Sequence, residues 1–297
     1  MTNIDPKVHT VFESKTSTWQ YIVADPDTGD AVIIDSVLDY DPSTNTISTT
    51  SADELLSIAE ENSYNIVAIL ETHVHADHLT AATYLQKTLL GRGKPKADIC
   101  IGKRIAQVQQ NVAQRYSLDA AECAGVFDRY LDDDATLPIG RLAARVLHLP
   151  GHTPDHVGYA VGPNVFTGDS IFLPDVGSAR CDFPGGDARA LYASMARLLA
   201  LPPHYRLYSG HDYPSAGQEP RACATVAEQR DRNKHVGGGA PEDAFVAWRR
   251  ERDAGLAEPR LIHQALQFNV RAGRLPRPGP AGDRFLHVPL KVPPALL

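Results

Sequence analysis

Apolar residues open the chain in two short runs, Trp19 to Ala24 and Ala31 to Asp35, separated by a segment holding Pro26 and Gly29. Strand-length apolar runs joined by turn formers predict a β-hairpin. Residues 40–50 are polar and rich in Ser and Thr, and Ser51-Ala-Asp-Glu54 has the form of a capping box starting a helix that runs to about Glu61. Asn65 to Leu70 is an apolar run suited to a buried strand. It ends at a dense polar cluster over residues 71–78, after which Leu79 to Leu90 takes helical spacing. A second passage of the same kind joins a strand at Ala97 to Ile101 to a helix from about Ile105 to Arg115. The chain then turns to β, with strands expected over Arg141 to Leu149, His156 to Val161 and Asn164 to Thr167. Asp187 is placed to cap a helix reaching Leu199, and Tyr205 to Ser209 is a further strand running into Gly210-His211-Asp212-Tyr213. Beyond Arg221 the pattern predicts helices near 221–234, 242–254 and 260–272, followed by a Pro-rich tail expected to lie extended on the surface.

Composition narrows this picture. With 297 residues, 43% of them hydrophobic, the chain can bury a large core. A formal net charge of -7 leaves no basic field to draw a nucleic acid or an anionic membrane. The first ten residues lack a basic start and an apolar signal core, and no run approaches the ~20 apolar residues that cross a bilayer, so a cytoplasmic location is expected. Cys100, Cys123, Cys181 and Cys223 stand far apart with no C-x-x-C pair, which argues for free thiols rather than a thiolate metal site.

The chemistry concentrates in His73-Val74-His75-Ala76-Asp77-His78, four metal-ligand side chains in six residues at a strand-to-helix junction. Alternation in an extended segment turns His73 and His75 the same way. Clustered imidazoles at the end of a buried strand are costly unless something binds them. Three more candidates follow short strands, each beside a glycine: His152 in Pro150-Gly-His-Thr, Asp169 in Thr167-Gly-Asp, and His211 in Ser209-Gly-His-Asp. If the strands belong to two packed sheets, their ends meet on one rim and these residues surround one centre.

H-x-H-x-D-H, G-H-T, T-G-D and G-H-D, in that order, resemble the metallo-β-lactamase superfamily from about Val8 to Tyr213. The resemblance implies an α+β fold, an αββα sandwich of two facing sheets with helices outside. The stretches Glu71 to His78, Phe166 to Phe172, Arg180 to Phe183 and His211 to Tyr213 look most like the persulfide dioxygenases, with glyoxalase II thioesterases next. In the dioxygenases the resemblance implies one Fe(II) on His73, His152 and Asp169, with sulfite and glutathione formed from glutathione persulfide and O2. Two imidazoles and a carboxylate with open positions also suit non-haem iron. In glyoxalase II it implies two Zn, with His75 joining the first site and Asp77, His78, His211 and a bridging Asp169 forming the second. This chain has every one of those side chains.

Arg180 matches an arginine that in the resembled family lies near the glutathione portion, although Ala179 replaces the preceding glycine. Under the dioxygenase resemblance Asp77, His78 and His211 orient ligands and hydrogen-bond water or substrate. Tyr213, directly after His211-Asp212, either places its phenol near the metal or packs in the core, and Asp77, His78 and Tyr213 are the catalytic candidates. The expected organisation is a catalytic domain over residues 1–220 and a helical C-terminal extension over 221–297 packed on it. That extension could cover the active-site mouth or form a homodimer interface. Trp248 and Phe268 are expected in helix cores, and Arg249 to Arg252 on a solvated face.

Overall fold

The computed structural model describes residues 5–293. Strand β1 (Lys7–Glu13) lies on the edge of the first sheet, paired antiparallel with β2 (Thr18–Ala24), which makes the expected hairpin with β3 (Asp30–Ile34). Strands β4 (Val37–Asp41) and β5 (Thr46–Ser48) form a small ribbon, and helix α1 is Thr50–Glu61. Its N-terminus starts two residues before the expected box, with Thr49 Oγ1 bound to the Asp53 carboxylate at 2.7 Å in place of a cap on the backbone.

Strand β6 (Asn65–Leu70) follows. The segment expected to be helical from Leu79 instead begins with a two-residue strand, β7 (Leu79–Thr80), before α2 (Ala82–Gly91). Strand β8 (Asp98–Gly102) and helix α3 (Ile105–Tyr116) lie where expected, and β9 (Arg129–Leu131) closes the first sheet in the order β1-β2-β3-β6-β8-β9.

The second sheet is built from β10 (Thr136–Ile139), β11 (Leu142–His148), β12 (Val157–Val161), β13 (Asn164–Gly168), β14 (Arg206–Ser209) and β15 (Cys223–Thr225), in that order. Helix α4 (Ala188–Leu199) starts at Asp187, whose side chain accepts the Ala190 N–H at 2.7 Å as a cap should. The C-terminal part contributes β15 where a helix was expected, because Cys223 to Thr225 pairs with the open edge of β14 before α5 (Val226–Arg232) begins. Helices α6 (Glu242–Ala254) and α7 (Ile262–Asn269) complete the regular elements among the described residues. The described residues beyond, 270–293, have no helix or strand and are fastened by Gln267, whose side chain exchanges two hydrogen bonds with the His287 backbone.

Alternation explains the layers. On β2, Trp19, Tyr21 and Val23 enter the core between the sheets, while Ile22 and Ala24 face the helices α1, α2, α3 and α7. Both faces of the strand are buried, which is why it reads as a continuous apolar run. The second sheet packs Val146, Tyr159, Val161 and Phe166 against the first, and its outer face packs Leu147, Val165 and Leu207 against α4 and α6. Each large aliphatic side chain so buried contributes about 1.5–3 kcal/mol. The result is the αββα sandwich the sequence implies, with the C-terminal helices divided between its two outer layers.

Candidate metal centre and its cleft

Loops at the C-terminal ends of β6, β11, β13 and β14 carry the donors to one rim. The loop after β14 is stitched to the first sheet, since the Trp19 N–H donates to the Gly210 carbonyl at 2.8 Å and Thr18 bridges His211. The two sheets are therefore locked together where the donors meet.

One donor atom each from His73, His152 and Asp169 lies within 4.8 Å of the others, and all three side chains are buried. His75, Asp77 and His78 form a second such group. His211 Nε2 stands between the two carboxylates, 3.6 Å from Asp77 Oδ2 and 3.5 Å from Asp169 Oδ2. Every metal-ligand residue singled out in the sequence thus belongs to one cluster.

Hydrogen bonds fix which atom each donor presents. Asp35, at the end of β3, accepts the Thr72 hydroxyl at 2.8 Å, and Thr72 Oγ1 in turn accepts from His73 Nδ1 at 2.9 Å. That relay leaves His73 Nε2 as a lone pair. The other Asp35 oxygen lies 3.1 Å from His75 Nε2, with Glu71 Oε2 at 3.5 Å, and this frees His75 Nδ1. His152 Nδ1 donates to the Arg180 carbonyl at 2.8 Å, His78 Nδ1 to Asp77 at 2.9 Å, and His211 Nδ1 to the Ser17 carbonyl at 3.0 Å. A carboxylate or carbonyl behind each imidazole is how metal ligands are oriented and made more basic. The Asp169 N–H donates to His156 Nε2 at 2.9 Å, which holds the backbone of that ligand.

The electrostatics fit a cation. His73 Nε2, His75 Nδ1, His78 Nε2 and Asp169 Oδ1 are buried without a protein partner, a cost that a bound metal ion removes. Burial, helped by the neighbouring imidazoles, pushes His73 well below the ordinary histidine range and His156 down to about 3. Burial also opposes charge on Asp169 and His211, but their attraction wins: Asp169 is held at about 2 by His211 and His152, and His211 is lifted to about 10 by Asp169 and Asp77. The proton on His211 supplies the positive charge that Asp169 and Asp77 demand, while His75, raised against its burial by Asp35 and Glu71, carries another, and a divalent ion would displace them.

A cleft of about 490 Å³ opens on this cluster, walled by Phe172, Arg180, Phe183 and Tyr213 and by residues of the C-terminal part. Arg180 is committed within the protein: Nε and Nη2 grip Asp182 at 2.6 and 2.5 Å, and Nη1 donates to the Ala257 carbonyl at 2.9 Å. Tyr213 is 55% exposed, with its ring parallel to that of His211 at 5.9 Å.

Two expectations are corrected here. Arg249 is buried, not solvated, because the α6 face that carries it packs against the loop holding Arg180 and pairs the guanidinium with Asp253. Trp248, expected in a helix core, is half-buried: it packs against the core beneath α4 and α6 and also lines the cleft, its ring tilted 39° to that of His235 with centroids 3.8 Å apart. Phe268 is core, as expected. Sequence reasoning missed Asp35, Thr72 and His156 as supporting groups. The sequence shows of Asp35 only a carboxylate closing the apolar run Ala31 to Ile34, and in the structure it takes a left-handed conformation, φ 52°.

The family model for the metallo-beta-lactamase superfamily matches residues 15–99 and 101–211, spanning the donors named above from His73 to His211. The chain belongs to the metallo-beta-lactamase superfamily. Among its relatives, a probable metallo-hydrolase of Burkholderia pseudomallei is 43% identical, with 94% of this chain and 97% of that protein covered. Glyoxylase B2 of Dictyostelium discoideum is 39% identical (96% and 97% covered), and the mitochondrial persulfide dioxygenase ETHE1 of Bos taurus is 28% identical (89% and 87%). The chain spans 65% of the length of the beta-lactamase hydrolase-like protein of Xylella fastidiosa, to which it is 42% identical. Among solved structures, ETHE1 from Myxococcus xanthus superposes with a TM-score of 0.71 at 29% identity, covering 90% of this chain and all of that one. Among the described residues no helix is long and apolar enough to cross a membrane.

Proposed function

We propose that the protein is a non-haem iron persulfide dioxygenase, with Fe(II) held by His73, His152 and Asp169. The observation that carries the reading is that group of two imidazoles and one carboxylate, gathered within 4.8 Å, with His152 and Asp169 lining an open cleft, a donor set suited to iron and O2. The similarity to ETHE1 along the whole length of the Myxococcus protein supports it. The reaction balances as persulfide plus O2 plus water giving thiol, sulfite and two protons. The outer sulfur loses four electrons and O2 gains them.

Iron, when bound, supplies the site for the persulfide sulfur and the electrons that activate O2. The chain's own residues do the rest. Thr72 and the Arg180 carbonyl hold His73 and His152 in the tautomers that present Nε2. Asp77 and the protonated His211, 3.6 Å apart at the cleft, orient water and substrate as acceptor and donor, and the protons released pass to solvent. His78 fixes the Asp77 carboxylate, and Tyr213 walls the mouth beside His211. The substrate class is a small thiol-derived persulfide such as glutathione persulfide.

A second reading has its own observation. Asp77 and Asp169 flank His211 while His75 Nδ1 and His78 Nε2 stand free, a complete set for two zinc ions acting on a thioester. Protein purified without oxygen separates the two: about one iron per chain with O2 uptake on glutathione persulfide is expected, and two zincs with cleavage of a glutathione thioester would overturn the proposal.

A further inference from the structure

Beside the cleft lies a second, much smaller cavity of about 50 Å³. Its inner end is formed by Val74 and Ala76, which alternate with the ligand histidines, and its walls by Val108 and Val112 of α3, Leu266 of α7 and Phe183. At its outer end Asn111 and Arg115 stand exposed on the surface of α3. Ala76 and Phe183 also line the metal cleft, so these two residues are a party wall between the spaces. The Phe183 ring meets that of His152 edge-on at 5.0 Å, which brings the partition to a metal donor.

Size and polarity select the occupant. A water takes up about 30 Å³ of liquid and needs two to four polar partners to stay in a buried site. The inner walls offer one, the buried Thr153 hydroxyl, among otherwise apolar side chains. A substrate arm of more than a methyl group or two exceeds the space. A diatomic apolar molecule fits.

We propose that this slot is the dioxygen inlet of the metal centre, separate from the cleft mouth through which the thiol substrate enters. The inference rests on the dioxygenase reading. A persulfide seated in the cleft obstructs the wide route, and a dry side passage past Ala76 and Phe183 lets O2 arrive afterwards.

The test uses the iron-loaded full-length protein and two variants that fill the slot, Val112→Phe and the milder Val108→Met, with thermal melting to verify folding. Crystals pressurised with xenon should show one atom in the slot of the wild type and none in Val112→Phe. The KM for O2 should rise at least about fivefold in the variants while the KM for persulfide stays unchanged. Should Val112→Phe not fold, Val108→Met and the wild-type xenon map decide. A wild type without O2 uptake sinks the dioxygenase reading and the inlet with it. Normal O2 uptake with no xenon in the slot, with an unmoved KM for O2, or with a changed KM for persulfide alone overturns the inlet and leaves the reading standing.

Discussion

Replacing Gly210 by alanine should damage the metal centre through a single side chain. A Cβ at this position would stand 2.4 Å from Asp169 Oδ1 and 3.1 and 3.2 Å from the backbone carbon and oxygen of Gly168. Ordinary contact begins at 3.4 Å, and since the neighbouring backbone is packed, the carboxylate oxygen must retreat by about 1 Å. Oδ1 is the buried Asp169 oxygen that no protein group satisfies. The two carboxylate oxygens move together, so the retreat of Oδ1 also shifts Oδ2, which faces His152 and His211. Carboxylate–metal bonds run about 2.0–2.2 Å and tolerate errors of about 0.2 Å, so that shift removes the donor. Overpacking alone costs about 1–3 kcal/mol of stability. Misplacing a reacting group by this distance costs about 100-fold in rate. Gly210→Ala should therefore remain folded by urea denaturation, carry at most about a tenth of the wild-type metal by mass spectrometry, and lose nearly all activity. Gly91→Ala is the control: its Cβ would meet nothing within 4 Å at the end of α2, so metal and activity should be unchanged. Full metal loading and wild-type turnover in Gly210→Ala would refute the assignment of Asp169 as a ligand.

Three further outcomes are expected. In metal-stripped protein His211 titrates at about 10 against an ordinary 6.5, so its contribution to stability is complete below about pH 6.5 and is lost as pH rises toward 10. His156, pushed down to about 3, acts in the opposite sense and makes stability climb between pH 3 and 6.5. Melting temperature should peak near neutrality, and a monotonic profile would contradict the cluster's electrostatics. Asp253→Ala leaves the Arg249 guanidinium buried without its partner and frees the Cys181 N–H, which should cost about 3–5 kcal/mol by chemical denaturation. Arg180→Ala should raise the KM for the thiol substrate without changing metal content. An unchanged KM would mean that its bonds to Asp182 and the Ala257 carbonyl only brace the loop.

Legibility followed locality. His73, His152, Asp169 and His211 could be found because each sits at the end of an apolar strand with its turn residues beside it in sequence. The strand β1 escaped notice because, as an edge strand with only two buried residues, it lacks a continuous apolar run. The ribbon β4–β5 lies partly in a Ser- and Thr-rich stretch whose last strand is wholly exposed. Three residues of β15 become a strand only because β14 offers them an open edge, a tertiary cause with no local signature. Arg249 looked solvated for the same kind of reason, since the loop that buries it is about 70 residues away in sequence.

The motif glycines and the supporting carboxylate illustrate the boundary between these cases. At Gly151 an added Cβ would lie 2.3 Å from the backbone N and Cα of Leu191, so the absence of a side chain is what lets α4 pack against the turn carrying His152. The donor and the residue that clears space for it are adjacent in sequence, and the pair is readable as a motif. Asp35 does comparable work, orienting His73 through Thr72 and His75 directly, yet it stands almost 40 residues before them on another strand. Only the parallel pairing of β3 with β6, which sets Ile34 beside Leu70, carries its carboxylate to the donors. A metal centre of this fold thus announces its ligands locally, while a supporting group such as Asp35 reaches them only once the sheet has formed.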